Sequence, residues 1–361
     1  MSKLSFSNSQ KGLFFSVLRQ RTEAYFKENQ LPKTGGTTHL IKAFTLLGLY
    51  FIPYFWLLFT QPSGWIAWIA TFIMGLGIAG VGMCVMHDAL HGSLSQHKWV
   101  NRLLGSSIYF LGGNAYNWEI QHNRLHHTYT NIHEVDEDIT GKFLLRLSFN
   151  DKRKPIHRFQ FIYAFFLYSL MTISFLWKDF KEIGYFNRLA DQKILKPFPR
   201  KELLLLFASK IGYVLFIALV PALFTDYTLG EWLIGFFTMH LVAGLILSII
   251  FQLAHIVEGA DHPQPTEQGV IMNDWAIHQL QTTANFAGSG KWFSWFVGGL
   301  DYQVEHHLFP HISHVHYAKL SPIVAQTAQE FGLNYLAHQG IGHALKAHIE
   351  HLKSLGSRDS L

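Results

Sequence analysis

A chain of 361 residues would ordinarily divide into two or three soluble domains, but only 15% of this one is charged and 49% is hydrophobic, with 31 Phe. The apolar residues come in blocks, which excludes a soluble globule and implies a polytopic membrane protein with polar ends and loops. The net charge of +5 sits in loops beside apolar runs, where it serves orientation and anionic lipid rather than nucleic acid.

Residues 1–42 are polar and basic, with no early apolar core of a cleavable signal, and read as a cytoplasmic segment. Residues 43–60 and 62–86 carry no Asp, Glu, Lys or Arg, and each is long enough to span a bilayer. Pro62 and Gly64 break the run between them, so residues 43–86 form a helical hairpin. The only cysteine, Cys84, leaves no intrachain disulfide, zinc finger or cysteine-ligated iron–sulfur cluster.

Residues 87–202 follow as a cytoplasmic region. Its two apolar stretches, 103–118 and 159–177, are expected at the interface or packed under the cytoplasmic domain. If 159–177 spanned, the basic loop 178–201 would face outside, against the positive-inside tendency. A second hairpin is expected over residues 203–254, with arms 203–225 and 232–254; Lys210 interrupts the first arm and would snorkel. Residues 255–361 return to the cytoplasm. The expected fold is an all-α integral membrane protein: four transmembrane helices in two hairpins, with a cytoplasmic helical domain carrying a metal site.

The metal site is expected from histidines. HDALH places His87 and His91 at the end of the second span, and HNRLHH supplies His122, His126 and His127. His255 ends the fourth span, and QVEHH supplies His306 and His307. Spacings of four and five residues put such rings on one helical face. Imidazole is a common ligand of iron, copper, nickel and zinc. Eight nitrogens exceed the needs of one ion and suit two, leaving positions for oxygen or water. Gln303, three residues before His306, can add an amide oxygen. Asp88, Glu119, Asp136, Asp138, Asp301 and Glu305 lie among these residues and are expected to receive ring N–H groups or balance the ions' charge. His240, deep in the fourth span, reads as a packed histidine. His278 and His316 are further candidates for supporting the ligands. Trp118, Trp275, Phe286, Trp292 and Trp295 are candidates for lining a substrate tunnel, with packing the weightier reading of each.

HDALHGS, HNRLHHTYTNI with DEDI after it, and YQVEHHLFPHI resemble, in order and spacing across residues 87–311, the histidine boxes of the membrane fatty-acyl desaturases. The resemblance implies a diiron centre, with O2 and two external electrons used to insert a double bond into a long-chain acyl-CoA or acyl-lipid. It gives the box-ligand roles to His87, His91, His122, His126, His127, His306 and His307, and the extra ligand role to His255. Gln303 replaces the His that opens the third box in many members. In this the chain is similar to front-end desaturases, which act between an existing double bond and the carboxyl end. Many of those carry a fused cytochrome-b5-like domain with an HPGG motif, absent here. A separate donor is therefore implied, a ferredoxin or a cytochrome-b5-like protein with its reductase. The active site is expected on the cytoplasmic face of a bacterial inner membrane or of the endoplasmic reticulum. A lipid hydroxylase or a sphingolipid desaturase of the same superfamily is the alternative, and a histidine-gated metal transporter a distant one, since the ligands sit at one end of the spans.

Overall fold

The computed structural model describes residues 4–7, 12–137, 139 and 143–357. Four of its helices are long and apolar enough to cross a membrane: Gly36–Thr60, Gly64–Leu90, Arg200–Phe224 and Leu229–His255. They are the four expected spans. The first begins seven residues earlier than the charge-free run, so it includes His39 and Lys42.

Local chemistry sets the ends. Gln61 caps the first span in the left-handed region, and Gly64 opens the second with φ +61°. The fourth starts with a capping box: the Glu231 N–H donates to Thr228 Oγ1 at 3.3 Å, and the Thr228 N–H donates to Glu231 Oε2 at 2.9 Å. The second and fourth spans meet closely at Gly75, where a Cβ would stand 2.7 Å from the Met239 carbonyl oxygen. Buried Tyr50, Ile78, Met83, Ala243 and Leu247 fill the bundle.

The stretch 159–177 departs from the expectation. It belongs to two helices, Pro155–Ser169 and Met171–Asp191, set at 79° around Leu170. The bend lies against the middle of the fourth span rather than at its end. A Cβ on Gly244 would meet the Ser169 carbonyl oxygen at 2.3 Å. The Ser248 hydroxyl donates to the Tyr168 carbonyl at 3.0 Å, and the Thr172 hydroxyl to the His240 carbonyl at 2.9 Å. Gly244 and His240 precede His255 by 11 and 15 residues, hence by about 16 and 22 Å at 1.5 Å per residue. A bend can sit there because the Ser248 hydroxyl satisfies one of its carbonyls, its own Thr172 hydroxyl bonds the span, and the missing Cβ of Gly244 admits its backbone.

Both arms of the bent pair return to the histidine end. Residues His157 and Arg158 pack on Gly356 of the helix Gly340–Ser357, and Phe186 and Leu189 pack with Ile120 and Leu125 of the second box. The parity that gathers the eight clustered histidines at one end therefore survives. Lys210 does not snorkel. It is buried, and its ammonium donates to the Asp179 carboxylate of the bent pair and to the Phe175 carbonyl at 2.6 Å.

Beyond the spans, Leu13–Glu28 packs on Tyr317–Glu330 through Phe14, Leu18, Val324 and Ala328. Strand Ser5–Phe6 pairs in parallel with Val270–Ile271. Arg146 is fully buried and holds the last helix by donating to the Leu355 carbonyl at 2.7 Å.

Candidate metal centre

Two π-helical segments carry ligands or lead to them. Val81–Met86 precedes His87, and Glu119–His126 contains His122 and His126. A π turn bonds i to i+5, so residues four and five apart share a face. That is the spacing of His122, His126 and His127, whose rings lie 5.2 Å (His122–His126) and 4.7 Å (His122–His127) apart between centroids. His306 and His307 sit on the short helix Gln303–Leu308, and His255 is the last residue of the fourth span.

The eight histidines converge as two groups. His87, His91, His122 and His306 each offer one nitrogen within 4.8 Å of the others, and His126, His255 and His307 do the same. His127 stands between the groups, its ring 4.6 Å from that of His306 and 4.4 Å from that of His307. Its Nε2 lies 3.1 Å from His122 Nε2. All but the partly buried His91 are buried.

The far nitrogens are held by the protein. His87 Nδ1 lies 3.0 Å from Asp88 Oδ1, and His126 Nδ1 lies 3.0 Å from Asp136 Oδ2. His307 Nδ1 lies 2.8 Å from Gln279 Oε1, and His306 Nδ1 lies 3.2 Å from the Tyr317 hydroxyl. His255 Nδ1 lies 3.1 Å from the Thr282 carbonyl oxygen. A carbonyl or a carboxylate can only accept, so His255 and His87 donate from Nδ1 and carry a lone pair on Nε2. The Nε2 atoms of His87, His91, His255, His306 and His307 are buried and have no hydrogen-bond partner among the described residues. A buried nitrogen lone pair without a donor is costly unless a cation meets it. Burial first, and then the neighbouring rings, hold His122, His127, His306 and His307 well below the ordinary histidine range. The rings are thus neutral, as ligands must be. This donor set fits two metal ions.

The other expected residues divide. Asp88 and Asp136 hold ligand rings. Asp136 also accepts the Asn131 N–H at 2.9 Å. Asp301 accepts from the Ser294 hydroxyl, and Glu305 from Asn285 Nδ2 at 2.8 Å and the Tyr335 hydroxyl at 2.7 Å; these bonds reach no box ring. Glu119 is partly buried beside Trp118 in the chain, and the charges nearest it are those of Arg124 and Glu202. Asp138 lies outside the described residues. Gln303 is buried one turn before His306 and His307, with its Nε2 unpartnered among the described residues. His278 packs on Phe6 and His316 on Phe26. His240 is bonded on both nitrogens, to the Tyr213 hydroxyl at 2.6 Å and the Thr172 hydroxyl at 3.0 Å.

Gln279, Tyr317 and Thr282 hold ligands yet went unnoticed in the sequence. No local spacing signals them, because each reaches its histidine from a different element.

A cavity of about 440 Å³ adjoins the centre. Trp118 and His122 stand at its metal end, with ring centroids 4.5 Å apart. Gln121, Glu137 and Lys178 supply polar groups, and Leu170, Met171 and Phe251 apolar ones. Of the five aromatic candidates only Trp118 lines it. Trp275 donates to the His127 carbonyl at 3.0 Å, Phe286 is core, and Trp292 and Trp295 reach the surface.

Comparison with known proteins agrees with this geometry. The fatty acid desaturase family matches residues 63–339. The sn-1 linoleoyl-lipid 6-desaturase of Arthrospira platensis is 32% identical over 98% of this chain and 95% of its own. A protein of the same name from Synechocystis sp. is 33% identical, over 96% of this chain and 97% of its own. The acyl-lipid (8-3)-desaturase of Physcomitrium patens is 31% identical over 98% of this chain and 74% of its own. Matched by the family over most of its length, with its histidines gathered at one end of four apolar helices, this chain belongs to the fatty acid desaturase family and is an oxidoreductase.

Proposed function

We propose that this desaturase inserts a double bond into an acyl chain carried on a membrane lipid, counting from the carboxyl end, with two irons held by His87, His91, His122, His126, His127, His255, His306 and His307. The observation that carries the reading is the pair of histidine groups with unpartnered nitrogens beside a largely apolar cavity. Removing hydrogen from an unactivated methylene is beyond side-chain acid–base chemistry; a diiron centre with O2 supplies that oxidising power when bound. The chain's own residues bind and orient. Trp118 and His122 bring the cavity wall to the centre, and Leu170 and Met171 receive apolar chain. Gln121, which accepts from Lys178 Nζ at 2.8 Å, adjoins His122 in sequence and places polar groups near the centre. A carbonyl end held there leaves few carbons between itself and the metals, as carboxyl-end counting requires. Gln303 is assigned to the metals' surroundings, bonding an iron or a water. Asp88 and Asp136, with Gln279, Tyr317 and Thr282, fix ring orientation.

The centre and both termini are placed on the cytoplasmic side, supported by the seven Lys and Arg between residues 178 and 201 and by the bent pair's return to the histidine end. Two electrons per turnover then come from a separate soluble or membrane-bound donor. The test is expression in a host fed a defined acyl donor, with mass spectrometry of its lipids. A product lighter by two hydrogens supports the reading. A gain of one oxygen assigns hydroxylation instead.

A further inference from the structure

A second cavity, of about 420 Å³, shares no lining residue with the acyl cavity. It sits between the start of the first span, the segment Gly288–Tyr302 and Val315. Its floor is Lys42, only 4% exposed. The Lys42 ammonium donates to His314 Nε2 at 2.8 Å and stands 5.3 Å from the centre of the Trp295 ring. It forms no ion pair with a carboxylate among the described residues. Asp301 lies close enough to feel its charge without bonding it, and Asp88 is reached through the His314 ring, whose Nδ1 donates to Asp88 Oδ2 at 2.6 Å. Asp88 is already shared with His87 at 3.0 Å and His39 at 3.6 Å. His314 is no anion either: burial and then Lys42 push its ring down to about 3, so it stays neutral.

A buried ammonium with donors to spare is expensive unless an anion joins it. The place tells which anion. Lys42 is the last charged residue before the charge-free run 43–60, hence at the edge of the hydrocarbon. Lys291 also lines the cavity, Trp292 beside it is 84% exposed, and Thr38 and Tyr302 add hydroxyls. Exposed tryptophans with basic side chains mark the headgroup level of a bilayer. We propose that Lys42 and Lys291 form a binding site for a phosphate group, presented by an anionic phospholipid and distinct from the acyl substrate's cavity.

The full chain, reconstituted in nanodiscs of phosphatidylcholine with or without phosphatidylglycerol, tests this by native mass spectrometry of retained lipid. Wild type is expected to retain phosphatidylglycerol over phosphatidylcholine, and Lys42→Met and Lys291→Gln each to weaken that retention about tenfold. A second arm adds inorganic phosphate to detergent-solubilised protein. Thermal stabilisation there, lost in Lys42→Met, with no lipid preference, keeps the anion site but assigns it to free phosphate. If Lys42→Met fails to insert, the exposed Lys291→Gln decides alone. Equal lipid retention by wild type and the inserted variants, with no phosphate response, overturns the site.

Discussion

His255 and Thr282 are joined by a bond of 3.1 Å from the ring Nδ1 to the backbone carbonyl oxygen. The carbonyl can only accept, so the backbone itself fixes the tautomer and turns Nε2 toward His126 and His307. His255→Ala should therefore lower bound iron toward about half of wild type, emptying one group while the other persists. Turnover should be lost and helicity by circular dichroism kept. Undiminished iron in that variant would remove His255 from the ligands.

Gln279 should behave as a support rather than a ligand. Its Oε1 accepts from His307 Nδ1 at 2.8 Å and from the Thr130 hydroxyl at 2.8 Å. Gln279→Leu removes the acceptor of both bonds and should weaken iron affinity by about 10–100-fold. Gln279→Glu restores an acceptor and should recover most of it. Chelator competition on purified protein measures both, and equal affinities in wild type and Gln279→Leu would contradict the assignment.

Gln303 separates binding from chemistry. An imidazole there is a stronger donor on a shorter reach and would occupy a position the reaction needs. Gln303→His should keep its iron yet lose most activity, while Gln303→Ala should lose activity with weaker iron retention. Near-normal turnover in both would withdraw Gln303 from the metals' surroundings.

The bend at Leu170 forms part of the acyl cavity's wall, and Gly244 sets where that bend stands. A methyl at Gly244 would press on the Ser169 carbonyl, costing about 1–3 kcal/mol as overpacking and displacing Leu170 and Met171. Gly244→Ala should lower the melting temperature and change acyl-length preference. Ser248→Ala, which deletes only the 3.0 Å bond to the Tyr168 carbonyl, should cost about 1 kcal/mol. Competition between acyl donors of graded length reads the preference, and unchanged selectivity in Gly244→Ala would detach the bend from substrate binding.

The four spans and eight histidines were legible because both are local signals: a charge-free run of bilayer length and rings spaced by helical turns. The supports were legible only where they lie near a box in sequence, as with Asp88 beside His87 and Asp136 ten residues after His126. Gln279, Tyr317 and Thr282 come from distant elements, and no spacing reports a contact made by the fold. Asp301 and Glu305 show the reverse error. They adjoin the third box in sequence, but their hydrogen bonds run to Ser294, Asn285 and Tyr335. The bend at Leu170 was hidden because an apolar run of span length records neither a kink nor the glycine that admits one.

Orientation can be checked at residue 190, in the second arm of the bent pair. With Cys84→Ser as background, a cysteine at position 190 should be labelled by an impermeant maleimide only after the cytoplasmic side is exposed. Labelling from the outer face alone would make the pair a true span and separate the second box from the third.

The central claim is that eight histidines hold two irons. Anaerobic iron loading of the purified full chain, followed by metal analysis and Mössbauer spectroscopy, measures it directly. Two irons per chain in nitrogen-rich sites are expected; one zinc and no iron after loading would contradict this.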